Sequence, residues 1–256
     1  MGTPRRDVRR LGGAMHARRA AFKTEYLDFE QGIRVGHLEP EERITQVIKA
    51  RLKERHGINF ICDRWGRGAY WQWICWVPEP NRKAKPLSSG YNFGSVKYFV
   101  SIERDERVFQ AGMQLERAPV APAPDDWQVK VARDWDWHVL RAALKKPDFP
   151  RACARLLREG FRIDAGLYPS LTRFTRKNWD PKKLARRLDT LAPRDWGVFQ
   201  LYFAMPEEEV KATSGSDMID AIAAVYEELV PAMSLCMYAP CLAAEKAPVA
   251  VRRGER

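Results

Sequence analysis

The chain has 256 residues, 45% hydrophobic and 30% charged, a balance that excludes a disordered, collagen-like or coiled-coil protein and leaves enough apolar mass for one large domain. Arg, Lys, Asp or Glu interrupts every apolar run before the roughly 18 residues that a membrane-spanning helix needs. Lys and Arg number 44 against 33 Asp and Glu, a net +11, but residues 1–22 and the last twelve hold most of the excess, so the mildly basic body is weak support for a nucleic-acid surface.

The Arg-rich stretch 1–24 and residues 243–256 read as disordered ends flanking a single α+β domain over 25–242. The five cysteines (Cys62, Cys75, Cys153, Cys236 and Cys241) are odd in number and thinly spread. With no secretory apolar segment, they suit free thiols in a cytoplasmic compartment. The first element is an amphipathic helix over 40–56, where Ile44, Val47, Ile48 and Leu52 recur at spacings of three and four and Gly57 offers a left-handed stop. From Ile58 the period changes to two. Residues 58–63 and 69–77 form a hairpin around the turn 64–68, with Trp71, Trp73 and Cys75 on one face. The proline-rich segment 78–90 reads as a basic surface loop carrying Arg82, Lys83 and Lys85.

A second hairpin joins 95–102 to 108–115, with Phe109, Ala111, Met113 and Leu115 on one face and Gln110, Gln114 and Glu116 on the other. Helices follow near 127–145, 150–159 and 181–191, with Asp148 as cap of the middle one. A last strand spans 197–204, and a helix capped by Ser216 runs over 217–233. Strands clustered early and helices late predict an antiparallel sheet of about five strands packed against C-terminal helices.

The common nucleotide-binding and hydrolase signatures are absent, and no cofactor or metal is implied. Cysteines thirteen and five residues apart lack the compact zinc-knuckle spacing. In Asp134-Trp-Asp-Trp-His138 only Asp134 and His138 share a helix face, the pattern of a surface pair. A metal-dependent hydrolase or nuclease would have to use Asp105 and Glu116, and it lacks the usual lysine.

The stronger signal is aromatic and basic. Trp65, Trp71, Trp73 and Trp76 fall within twelve residues, beside Arg82, Lys83 and Lys85. Aromatic faces stack bases while cations hold phosphates, and the same tryptophans serve equally to fill a core. The reading is an anionic ligand, including nucleic acid, bound through Arg82, Lys83, Lys85, Gln110, Gln114, Glu116, Trp71 and Trp73. Its alternatives are the metal hydrolase and a structural or interaction module.

From residue 78 to 238, three stretches are similar to the YktB-like bacterial family of unknown function. These are Asn81-Arg-Lys-Ala-Lys-Pro86, Lys97-Tyr-Phe-Val-Ser-Ile102 and Val108-Phe-Gln-Ala-Gly-Met113. The resemblance implies an α+β fold and a bacterial cytoplasmic protein. Of that family's fuller basic loop, Lys83, Lys85 and Pro86 stand here.

Overall fold

A computed structural model describes residues 21–85, 93–117, 127–192 and 195–243, with only the backbone of 127–134. Two short strands, β1 (Leu27–Asp28) and β2 (Gly32–Arg34), precede helix α1 (Ile44–His56). Strands β3 (Phe60–Arg67) and β4 (Tyr70–Pro78) are followed by the short helix α2 (Glu79–Lys83), and β5 (Lys97–Glu103) and β6 (Val108–Arg117) come next. Helices α3 (Trp127–Ala143) and α4 (Asp148–Arg158) lead to β7 (Arg162–Leu167), β8 (Leu171–Phe174), α5 (Pro181–Asp189) and β9 (Gly197–Pro206). Helices α6 (Glu207–Ala212) and α7 (Gly215–Leu235) complete the described order.

The nine strands form one antiparallel sheet in the order β1-β2-β4-β5-β6-β9-β7-β8, with β3 pairing the other edge of β4. The predicted α+β class holds, but nine strands replace five. The additions are the short strands near the start and the hairpin β7–β8, which returns between helices and pairs with β9. Helices pack against one face. Phe149, Cys153, Leu156 and Leu157 of α4, Leu184 of α5, and Ile222, Tyr226 and Leu229 of α7 join Trp76, Tyr98, Phe109, Met113 and Leu201 of the sheet in one core. Each such side chain taken out of water contributes roughly 2 kcal/mol, so this layer dominates the stability.

Local signals place the helices, with shifts at their starts. Helix α1 starts at Ile44 rather than Pro40, and it ends on Gly57 at φ 69° with its N–H on the Lys53 carbonyl. That left-handed stop is the one the sequence predicts. Helix α7 begins two residues early, because Ser214 rather than Ser216 accepts from the Asp217 N–H. Asp148 is the first residue of α4 and makes no cap hydrogen bond. Helix α3 is broken at Trp135 (φ 3°, ψ −104°). The break parts the predicted Asp134–His138 face, and the side chain of Asp134 lies outside the described residues.

The predicted disordered ends fall almost wholly outside the described residues, but Phe22 is 3% exposed and part of the core. The folded domain therefore starts inside the predicted arm. No described helix is long and apolar enough to cross a membrane.

Gly112, at the middle of the sheet, explains one tight contact. A Cβ there would lie 2.5 Å from both the Leu201 carbonyl oxygen and the Tyr202 Cβ. Backbone in the paired strand cannot swing aside as a flexible side chain would, so Gly112→Ala is expected to lower stability by about 2 kcal/mol in urea melts. A variant as stable as the parent would show that β6 and β9 separate at low cost.

Candidate ligand-binding face

Strand alternation gives the sheet a second face, and its composition is unusual for central strands. Opposite the core-facing Phe109, Ala111, Met113 and Leu115, strand β6 presents Gln110, Gly112, Gln114 and Glu116. The register aligns them into rows. Lys97 on β5, Gln114 on β6, Gln200 on β9, Asp164 on β7 and Arg173 on β8 stand opposite one another across five strands. A second row holds Trp73, Ser101, Gln110 and Ala204. Between them, Cys75, Val77, Phe99 and Tyr202 make a small separate apolar cluster.

Lys97, Gln110, Gln114, Glu116 and Asp164 are buried, Trp73, Ser101, Gln200 and Arg173 are half-buried, and most of these groups are bonded to one another. Lys97 is 2% exposed and its ammonium is paired with the Glu116 carboxylate. Burial pushes the Lys97 ammonium down, but the charge and hydrogen bond of Glu116 outweigh it and hold the pKa above the ordinary lysine value. The Trp73 indole N–H donates to Gln114 Oε1 at 2.6 Å, and Ser101 donates to Gln110 Oε1 at 2.9 Å. Tyr202 donates to Asp164 Oδ2 at 2.8 Å, and Arg173 grips both oxygens of Asp164 at 2.9 Å. At the hairpin end, Glu106 accepts from Arg162 and Arg173.

The opposite end of the face gathers cations and donors. Lys85 is 6% exposed and donates to the Phe93 carbonyl at 2.7 Å. Burial, followed by the charge of Arg82, pushes its pKa down to about 8; Lys97 adds to that effect and Asp136 opposes it. The Lys97 ammonium lies 5.2 Å from the Trp73 ring centre and 5.9 Å from that of Phe93. The hydroxyl of fully buried Ser95 and the indole N–H of Trp196 have no hydrogen-bond partner among the described residues. Behind this end, Asp136 accepts from Asn81, the Val96 N–H and the Tyr238 N–H, tying α2, β5 and the C-terminal segment together.

Of the sequence-predicted site residues, Gln110, Gln114, Glu116 and Trp73 do share this face. Trp71 does not. Trp65 pairs with Trp73 but Gly66 pairs with Trp71, so Gln72 is an extra residue and Trp71 turns to the helix-packed side, beside Ile33. A bulge reverses the faces of everything beyond it. The expected loop over 78–90 is in part strand end and helix: β4 continues to Pro78, α2 follows it, and residues 86–92 lie outside the described residues. Lys83 is exposed and pairs with Glu79 at 2.8 Å, whereas Lys85 points inward. Arg82 is half-buried.

Asp105 and Glu116 are not brought together. Asp105 sits in the β5–β6 turn and Glu116 near the far end of β6, about 25 Å along the strand. Among the described residues, no group of three or more His, Cys, Asp or Glu could hold a metal ion. Cys75 packs on the polar face while Cys62 packs against the main core, so they are separated by the sheet. A groove of about 800 Å³ between α1 and β3 has mixed charge, with Lys49 and Arg64 against Asp63 and Glu79.

Sequence reading missed Lys97, Ser95, Gln200, Asp164, Tyr202 and Trp196. Lys97 alternates correctly with Phe99 and Ser101, so its position on the Gln114 face was available from period two. The others depend on β9 and β7 lying beside β6, which no local signal fixes. No known family model matches the chain, and neither does any curated protein.

Proposed function

We propose that the protein binds a small anionic ligand at the end of the helix-free face where Lys85, Lys97 and Ser95 meet. The observation that carries this reading is a group of buried donors: the Ser95 hydroxyl and the Trp196 indole N–H have no partner among the described residues, and the buried ammonium groups of Lys85, on the Phe93 carbonyl, and Lys97, on Glu116, belong to the same end of the face. Buried donors cost stability unless an acceptor reaches them, and an anion supplies several acceptors together with the compensating charge. A nucleic-acid strand laid over an exposed basic surface has less support, because Lys85 is buried, Trp73 is half-buried and Lys83 is already ion-paired. The metal-hydrolase reading has none from the placement of Asp105 and Glu116.

Calorimetric titration with inorganic sulfate, whose charge is constant from pH 7 to 9, tests the proposal. Binding at pH 7 should weaken about tenfold by pH 9 as Lys85 loses its proton, and Lys85→Met should remove it. Sulfate binding that ignores both changes would overturn the reading.

The same variant reports on cost. The Lys85 pKa is 10.5 before folding and about 8 after it, so stability rises as pH increases between those values and the full penalty applies at pH 7. Lys85→Met is therefore expected to stabilise the fold at pH 7 by about 1–2 kcal/mol, after losing the hydrogen bond to Phe93.

A further inference from the structure

We infer that the ligand carries a planar ring beside its anionic group, and that Tyr168 and Trp196 form the surface on which the ring stacks; this rests on the anion reading above. Phe93 is the hinge of the argument. Its carbonyl holds the Lys85 ammonium, its ring lies 5.9 Å from the Lys97 ammonium, and the same ring meets Trp196 edge-on at 5.9 Å. Trp196 in turn packs against Tyr168 in a tilted arrangement, with ring centres 4.5 Å apart at 39°. Cations and an aromatic surface thus lie one residue apart.

The surface is also open. Tyr168 is 49% exposed and its neighbour Leu167 37%, two adjacent large apolar side chains left facing solvent at the ends of β7 and β9. The Tyr168 N–H is fixed on the Trp196 carbonyl at 2.9 Å, so the pair is held by backbone as well as by ring contact. An exposed aromatic face suits a planar ring, which an aliphatic chain would not match. A ring joined to a phosphate or carboxylate by a short linker would reach both Trp196 and the lysines, which describes a mononucleotide-like small molecule.

Ribose 5-phosphate and adenosine 5′-monophosphate share the sugar and phosphate and differ by the ring, so their comparison isolates it. In calorimetric titrations at pH 7.5, adenosine monophosphate should bind at least about tenfold more tightly. Tyr168→Ala, at an exposed position, should cut that advantage to about threefold or less while leaving ribose 5-phosphate binding unchanged. Thermal melts establish that the variant is folded. Equal affinity of the two probes for the parent protein would overturn the ring inference and leave the anion reading standing. Ribose 5-phosphate binding that survives Lys85→Met would overturn the anion reading itself, and this inference with it.

Discussion

Asp136→Ala is expected to lower the stability of the folded protein by about 3–4 kcal/mol, because it leaves two buried N–H donors and one half-buried donor without an acceptor. Asp136 is completely buried, and its two oxygens take hydrogen bonds from Asn81 at 2.6 Å, Val96 at 2.8 Å and Tyr238 at 2.7 Å. The break at Trp135 is what brings it there, since the Asp136 N–H leaves the helix to bond the Gly94 carbonyl at 2.8 Å. Asp136→Asn should fall between, at about 1–2 kcal/mol, because one amide oxygen can serve two of the donors while the amide NH₂ faces the third.

The pH dependence separates the charge from the hydrogen bonds. Burial raises the Asp136 pKa from 3.8 to about 6, against the three hydrogen bonds and Lys85, which pull it down. The folded state therefore holds more protons than the unfolded state between those values, so this group's contribution is full below 3.8 and is lost as pH rises through 6. Urea melts at pH 5 and pH 7 should show that loss in the parent protein and a flatter profile in Asp136→Asn. An Asp136→Ala variant within about 1 kcal/mol of the parent would mean that water reaches all three donors.

The path from residues to site was readable to different depths at different points. Periodicity is a local property, and it found α1, α7, the hairpins β3–β4 and β5–β6, and strand β9. It also sorted Gln110, Gln114 and Glu116 from the apolar face of β6. It failed where a single residue changes the count. Gln72 bulges out of β4 and sends Trp71 to the opposite side from Trp73, although uninterrupted alternation puts them together. Composition misled at Lys85. A stretch with prolines and three cations has the look of a solvated loop, but α2 forms within it and the lysine turns inward to Phe93. The row beyond Gln114 could not be read at all, because β9 starts about eighty residues after β6 ends and β7 enters the sheet on its far side. What local patterns lack is the order of strands, and that order decides which polar side chains become neighbours.

The Lys97–Glu116 pair gives the second large effect, and it distinguishes a structural pair from one with another role. Lys97→Met should cost about 3–5 kcal/mol, since it strands the Glu116 carboxylate in a buried site, and Glu116→Leu should cost a comparable amount by stranding the ammonium. Lys97→Met combined with Glu116→Leu should recover most of that loss, to within about 1 kcal/mol of the parent, because two apolar side chains of similar size avoid the desolvation of two ions. The pair holds the Lys97 pKa above 10.5, so its contribution is complete below that value and disappears as pH rises through the higher folded value. Chemical melts of the four proteins at pH 7 measure the coupling directly. A double variant as unstable as the single ones would make the ion pair necessary to the sheet and remove it from the argument for a ligand. A stable double variant that no longer binds sulfate would show that the centre of this face holds a charged pair the fold does not require.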